Sequence, residues 1–485
     1  MAQKLSNTSA DQKQIIAFLQ RPASYPAGPK SVDVIETHGA LVFLAGDEVF
    51  KIKRAVKFEY MDFSTLALRQ EVCEREFALN KPAAPELYLG VVPITQDTDG
   101  TLAIDGSGKP VEWAVHMRRF DQANLYSHLA QRHKIGNTQI FALAAEVARY
   151  HKAQAAAPHE TGTDRIAAVI EELRSAFGTL VATVDAAEVS TFLQVADREL
   201  NRIAPILDER ARAGLIRRCH GDLHLGNIVQ LNGKPVLFDA LEFDETLATT
   251  DLLYEMAFLV MDLWHQGLRA EANLLLNRYL YETAALDQLE GLQALPLFMA
   301  IRAAIRAMVT AQRAAQLAEP TSACPPDVGK YLRDAIDFLA PPPPRLVAVG
   351  GLSGSGKSTL AAEIAVHIGA VPGAIHIRSD LERKILFGAS ETDRLSDACY
   401  TAEASAKVYD AVINNAEKVL RSGHSVIADA VFADRAQREK IEREAERLGV
   451  PFTGLWLAAP QSDLVERVEA RKGDASDATA DTVRA

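Results

Sequence analysis

Short bursts of alternating apolar and polar positions mark residues 35 to 120. ALVFLAG and VFKIKRAV flank Gly46-Asp47, a favourable hairpin turn, and LYLGVVPI and VEWAVHMRRF flank a loop rich in Gly and Asp. Between these pairs, STLALRQEVCEREFALN has helical composition and period. The predicted order is strand, strand, helix, strand, strand. Residues 125 to 340 then read as mostly helical, with Ala-rich segments such as 142 to 157 favouring helix. One polar stretch with short strands, CHGDLHLGNIVQLNGKPVLFDALEFDE from 219 to 245, interrupts them.

Four consecutive prolines, Pro341 to Pro344, end the helical pattern, because proline cannot continue a helix and favours an extended spacer. Beyond them apolar runs alternate with helical segments: RLVAVGG, SVIADAVF and FTGLWLAAP are strands, which is the pattern of a parallel sheet with crossover helices. The predicted organisation is a domain over 1–340, with a β-rich N-lobe at about 30–120 and a helical C-lobe at about 121–340. A proline linker at 341–344 and an α/β domain over 345–485 complete it, and the linker is expected to keep the two cores separate.

Composition narrows the function. A chain of 485 residues implies more than one core, and 48% hydrophobic with 24% charged residues is ordinary for a globular protein. The net charge of −12 argues against general binding to nucleic acid or to anionic membranes. Cys73, Cys219, Cys324 and Cys399 are widely spaced, so reduced thiols in the cytoplasm are expected rather than disulfides or a zinc site. MAQKLSNTSADQKQIIAFLQ does not read as a signal peptide, and no span of about 20 uninterrupted apolar residues suggests a membrane helix. DLLYEMAFLVMDLWHQG is the longest candidate and reads as a buried helix.

GLSGSGKS, Gly351 to Ser358, fits G-x-x-x-x-G-K-S/T between an apolar strand and a helix. Gly351, Leu352, Ser353, Gly354, Ser355 and Gly356 form a loop whose backbone N–H groups can face phosphate oxygens. Lys357 meets the β/γ-phosphates, Ser358 ligates Mg²⁺, and Thr359 is counted with the nucleotide-binding residues. Asp380 in IHIRSDLERK is placed to act as base on an acceptor hydroxyl, with Arg378 and Arg383 nearby. Asp429 ends the strand VIAD, where a carboxylate orients magnesium. Arg467 and Arg471, one helical turn apart, are candidates for a lid over the triphosphate.

HGDLHLGN reads as H-x-D-x-x-x-x-N, with Asp239 twelve residues beyond Asn227 at the end of a strand. This is the catalytic-loop arrangement of protein-kinase-like phosphotransferases. Asp222 suits a general base, Asn227 and Asp239 suit Mg²⁺, and His220 suits bracing of the loop. Lys51 and Lys53 share a strand face, and one of them should anchor the α/β-phosphates. Lys51 is favoured, with Lys53 the alternative. Its partner is expected to be Glu76, with Glu71 and Glu74 as rivals. Glu242 and Asp244 add a ligand or brace the loop. His220 and His224 have zinc-like spacing, but Gly221 and Gly226 argue against the helix that spacing needs. Arg302, Arg306 and Arg313 align on one helical face, either to receive an anionic substrate or to pair with acidic neighbours.

Two resemblances gather these motifs. Residues 30 to 340 resemble the aminoglycoside phosphotransferase group through CHGDLHLGNI, LFDALEFDE, His151 in VARYHKA, and Asp251 at a structural carboxylate position. Residues 345 to 480 resemble small P-loop kinases such as gluconate kinase, polynucleotide kinase and the zeta-toxin group, through GLSGSGKST, SDLERK, VIADAVF and RVEARKGDASDA. The latter resemblance implies Asp380 as the hydroxyl-activating residue and Arg467 and Arg471 as lid arginines. Such kinases continue past the lid with a strand, an adenine-contacting loop and a helix, whereas this sequence reaches Ala485, so the expectation is either a truncated chain or a half that binds nucleotide poorly.

The implied fold is an α+β two-lobed protein-kinase-like domain followed by an α/β P-loop NTPase domain with a parallel sheet. The implied activity is transfer of phosphate from ATP, with Mg²⁺, to a hydroxyl of a small molecule that is sugar-like, aminoglycoside-like or a nucleotide sugar. The competing expectation is a regulatory ATPase or nucleotide sensor with one non-catalytic module. Acceptor identity and oligomeric state are left open.

Overall fold

In the computed structural model, residues 10–484 are described except 38, 59–60, 158–160, 182, 318–324 and 472, so Cys324 lies outside them. By its contacts the chain divides into two units, Met1–Lys134 with Arg218–Thr250, and Ile135–Arg217 with Asp251–Ala485.

The first unit is built on a six-stranded sheet. Its strands are β1 (Val32–Glu36), β2 (Ala40–Ala45), β3 (Glu48–Lys53), β4 (Tyr88–Gln96), β5 (Leu102–Ile104) and β6 (Lys109–Arg118), in spatial order β1-β2-β3-β6-β4-β5. Alternation along β3 sends its side chains to two different cores. Phe50 and Ile52 pack with Ile15, Ile16 and Leu19 of helix α1 (Ala10–Leu19), an element the sequence pattern had not singled out. Val49 faces the opposite core with Cys73 and Phe77 of helix α2 (Leu66–Asn80). Lys51 and Lys53 share the face of Val49, so both are turned toward α2. The buried Gln12 of α1 ties the sheet from the other side. It donates to Lys53 O at 2.7 Å and Glu112 Oε2 at 2.9 Å, and accepts the Ala55 N–H at 2.8 Å. Antiparallel strands β7 (Ile228–Leu231) and β8 (Lys234–Leu237) carry the polar stretch, with Ile228 opposite Leu237.

The second unit begins with helices α3 (Asn137–Ala153), α4 (Gly162–Thr179), α5 (Ala186–Arg212), α6 (Leu252–His265), α7 (Arg269–Glu282), α8 (Leu295–Leu317) and α9 (Pro326–Phe338). Asp251 caps α6 through the Leu253 N–H at 2.7 Å and holds buried Arg210 by two bonds of 2.7 Å. His151 is fully buried between Tyr279 Oη and Glu255 Oε2, each at 2.8 Å. Among the described residues one helical stretch, Glu290–Ala315, is long and apolar enough to cross a membrane, and most of it is buried inside the protein. It overlaps most of α8, while α6 is the buried helix expected from the sequence. Arg302 lies in that core, 5% exposed, with its guanidinium 3.9 Å from the Tyr254 ring centre. The Arg302 guanidinium thus stacks on aromatic rings in the core instead of meeting solvent.

After the prolines, a four-stranded parallel sheet is formed by β9 (Leu346–Gly351), β10 (Ile375–Arg378), β11 (Val426–Asp429) and β12 (Phe452–Leu457), in order β10-β11-β9-β12. Helices α10 (Lys357–Ala365), α11 (Ser379–Leu386), α12 (Ala402–Arg421), α13 (Arg435–Leu448) and α14 (Gln461–Ala470) connect or follow the strands. The linker does not keep these segments apart. Asn273 and Asn277 of α7 bond to Ala374 O at 3.1 and 3.3 Å, Arg278 pairs with Glu391, and Lys418 pairs with Asp287 at 2.5 Å.

Candidate functional site

Two clusters of the candidate residues form, one in each unit. In the first, β3 presents Lys51, whose Nζ lies 2.9 Å from Glu76 Oε1 and 2.5 Å from Asp239 Oδ1. Lys53, two residues along the same face, is 2% exposed and pairs with Glu76 Oε2 at 2.5 Å and with Glu242. Glu76 is fully buried and bridges the two ammonium groups, whereas Glu71 and Glu74 are exposed, with Glu74 accepting from Gln70.

Asp239 stands at the end of β8 with φ +63, a left-handed backbone unusual for a residue with a Cβ. Neighbouring bonds hold it there: its N–H donates to Tyr88 Oη at 3.1 Å, and the Ala240 N–H donates to Asn80 Oδ1 at 2.8 Å. Asn80 in turn donates to Glu76 O at 2.9 Å, so α2 fixes both the lysine partner and the Asp239 turn. On the adjoining loop Asn227 Nδ2 donates to Asp222 O at 2.9 Å and Oδ2 at 3.2 Å, which leaves its amide oxygen as the atom a cation can use. His220 Nε2 is 2.9 Å from Phe238 O, a bracing contact, and His224 Nδ1 accepts the Gly226 N–H in a 3₁₀ turn. Asp244 caps the turn after it through the Thr246 and Leu247 N–H groups and so braces the loop.

Electrostatics separate the members of this cluster. Burial works against a charged Lys51, but Asp239, Glu76 and Glu242 outweigh it and hold its pKa well above the ordinary range. Burial raises Asp239 as well, yet Lys51 and Lys53 bring it below the usual carboxylate value. Glu242 goes the other way, because burial exceeds the pull of Lys53. Two lysines among Glu76, Glu242, Asp239 and Asp222 leave negative charge in excess. Oxygen donors with surplus negative charge fit Mg²⁺.

In the second cluster the phosphate loop joins β9 to α10. Gly351, Gly354 and Gly356 have φ of +144, +85 and +89. A Cβ on Gly354 would stand 2.6 Å from Leu464 O, while one on Gly356 meets nothing within 4 Å. That open space beside the N-terminus of α10, with Ser355 Oγ buried and unpartnered, is a cradle suited to phosphate. Leu352 and Thr359 are exposed, and Ser353 is half-buried. Lys357 Nζ donates to Leu352 O at 3.0 Å, and burial lowers its pKa despite Asp429 and Asp380. Ser358 Oγ donates to Asp429 Oδ2 at 2.6 Å. Burial would raise Asp429, but His376, Ser358 and Arg378 leave it lowered. Asp380, on the first turn of α11, is raised, chiefly by burial, so the two carboxylates are driven apart.

The lid arginines depart from expectation. Helix α14 ends at Ala470, and Arg471 continues in extended backbone, so the two arginines do not share a helical face. Arg467 reaches Gly354 O at 3.4 Å, while Arg471 pairs with Asp474 at 3.5 Å. Asp474 also holds Arg378 at 3.1 Å. The pattern had not pointed to His376, whose Nε2 lies 3.2 Å from Asp429 Oδ2. Its only local sign was its place two residues before Arg378 on the same strand face.

These clusters and their two scaffolds define a kinase-type phosphotransferase fold joined to a P-loop kinase-like α/β domain, the fold class expected from the sequence. Residues 62–292 match the Phosphotransferase enzyme family and residues 346–485 match the AAA domain family. An uncharacterized protein of Mycobacterium tuberculosis is 30% identical over 470 residues, covering 94% of this chain and 89% of that protein. The chain belongs to the family of that protein. An adenylyl-sulfate kinase of Myxococcus xanthus is 29% identical over 118 residues, 24% of this chain and 59% of the kinase. A choline/ethanolamine kinase family protein from Mesorhizobium loti aligns with 67% of this chain and 99% of its own, at 14% identity and TM-score 0.36. A gluconokinase from Sinorhizobium meliloti aligns with 29% and 71%, at 23% identity and TM-score 0.21.

Proposed function

We propose that this protein is an ATP-dependent kinase with two Mg·ATP sites, transferring the γ-phosphoryl group to a hydroxyl of a small molecule. The observation that carries the reading is the contact of Lys51 with both Glu76 and Asp239, beside the Asp222–Asn227 loop. Phosphoryl transfer depends on positioning and charge neutralisation, and this set supplies a cation for the donor phosphates, oxygen ligands and a base.

At the first site Lys51 holds the α/β-phosphates and is itself held by Glu76. Asp222 accepts the proton of the acceptor hydroxyl. Asn227 and Asp239 hold Mg²⁺, which when bound offsets phosphate charge. At the second site the backbone of Gly351 to Gly356 and Lys357 hold phosphate, Ser358 and Asp429 hold Mg²⁺, and Asp380 receives the acceptor's proton. Arg467 and Arg471 stabilise charge on the transferred group. The sugar-like, aminoglycoside-like or nucleotide-sugar acceptor class follows from the resemblance of the two motif sets to those kinase groups.

Incubating the intact protein with γ-labelled ATP and a fractionated metabolite extract tests the reading. Label is expected on an organic acceptor, lost from one product on Asp222→Ala and from the other on Asp380→Ala. Release of inorganic phosphate alone from every fraction would overturn it in favour of an ATPase or nucleotide sensor.

A further inference from the structure

The outer edge of the P-loop sheet is closed by a helix from the phosphotransferase-family segment. Among the described residues strand β10 has a strand neighbour, β11, on one side only. In such a strand alternate residues turn their N–H and C=O groups away from the neighbour, and here these belong to Ala374 and His376. Open edges are normally covered or blunted. In this protein the amides of α7 take the place of a neighbouring strand. Asn277 Oδ1 accepts the His376 N–H at 2.7 Å, and its Nδ2 donates to Ala374 O at 3.3 Å. Asn273, one turn earlier and 4% exposed, donates to the same carbonyl at 3.1 Å. Asn277 Nδ2 also lies 3.1 Å from Asn273 Oδ1, which ties the two amides together.

His376 continues the chain inward. Its Nε2 meets Asp429 Oδ2 at 3.2 Å, the oxygen that also accepts Ser358 Oγ at 2.6 Å. Hydrogen bonds on the backbone and ring of His376 therefore link α7, through the covalent frame of that residue, to the two groups read above as the Mg²⁺ end of the P-loop site. A helix that merely covered an edge needs only apolar contact. These amides instead match one donor and one acceptor of the very residues that flank and include His376.

We propose that Asn277 and His376 are positioning residues for the P-loop nucleotide site, so that the phosphotransferase-family segment completes the second site as well as forming part of the first domain. The proposal rests on the reading of Ser358 and Asp429 as Mg²⁺-facing groups. Residues behind the direct ligands fix ligand orientation, and their loss ordinarily costs about 10- to 100-fold in metal affinity or activity.

The test is calorimetric titration of ADP, with and without Mg²⁺, into full-length protein carrying Asp239→Ala to silence the first site. The binding removed by a further Lys357→Ala defines the second site. Asn277→Ala and His376→Ala are each expected to weaken Mg·ADP about tenfold or more, while Mg-free ADP changes by less than about twofold. Because they act along one chain, the double variant is expected to lose no more than the weaker-binding single variant. His376→Gln, which keeps an N–H donor, is expected to recover most of the affinity.

Unchanged Mg·ADP binding in Asn277→Ala would overturn the proposal. So would parallel weakening of both ligand forms, which marks α7 as a brace for the sheet. Should Asn277→Ala not fold, His376→Ala leaves the edge backbone bonds in place, and unchanged Mg·ADP binding there is equally fatal. If Lys357→Ala removes no binding, the P-loop site itself fails, and that result is separate from all the others.

Discussion

Lys51 and Lys53 lie two residues apart on one strand face and share Glu76, but only Lys51 also reaches Asp239. Lys53 instead fills the buried space between Glu76 and Glu242. The two lysines are therefore expected to fail differently. Lys51→Met should weaken ATP binding at the first site with modest loss of stability. Lys53→Met leaves buried Glu242 without its paired cation and Glu76 with Lys51 alone, and breaking a buried pair costs about 3–5 kcal/mol. Urea denaturation is expected to show that loss for Lys53→Met, with partial recovery in Lys53→Met/Glu242→Leu. Equal stability of the two single variants would remove the distinction.

Asp222 and Asp239 both face the site rather than the core, so their loss should cost activity and spare the fold. Asp222→Ala and Asp239→Ala are each expected to abolish transfer at the first site with an unchanged thermal midpoint. Full transfer by Asp222→Ala would eliminate it as the base.

The phosphate loop makes a graded prediction from two glycines with similar backbones. Gly356→Ala meets open space, so it carries only the left-handed penalty of roughly 1–2 kcal/mol. Gly354→Ala adds a clash with Leu464 O of α14 and should be the more destabilising, loosening the helix that carries Arg467. Calorimetry on intact protein is expected to give two Mg·ATP sites, one after Lys357→Ala, and none after Asp239→Ala/Lys357→Ala. A wild-type stoichiometry near one, abolished by Lys357→Ala alone, would mark the first module as non-catalytic.

Much of this arrangement was legible because its signals are local. The loop from Gly351 to Ser358 and the run from His220 to Asp239 each carry their chemistry within a few residues of a strand end. The choice between Lys51 and Lys53 was not local: both lie on the same face, and only the placement of Asp239 and Glu242 separates them. Arg471 was misplaced because helical spacing was extended past Ala470, although Gly473, with φ +65, marks a chain that has left the helix. The Asn277–His376 contact joins residues 99 apart, with nothing in either segment's pattern to announce the other. The expected separation of the two cores failed for the same reason. Prolines stiffen a linker, but they do not prevent two amide side chains from matching a strand edge.

His424 supplies a pH dependence with a definite sign. It lies in the turn before β11, 1% exposed, and neither ring nitrogen has a well-formed hydrogen bond. Burial lowers its pKa from 6.5 to about 4, only partly opposed by the Ser422 backbone. In the unfolded chain it protonates near 6.5, so between pH 6.5 and 4 the unfolded state binds more protons than the folded one. Stability is then complete above about 6.5 and falls as the pH drops toward 4, by about 3 kcal/mol in all. His424→Gln removes the titration, whatever it does to the packing. Urea midpoints measured from pH 4.5 to 7.5 should therefore decline more steeply with acid in the natural protein than in His424→Gln. Parallel curves would mean that His424 is hydrated or charged in the folded protein, contrary to its burial.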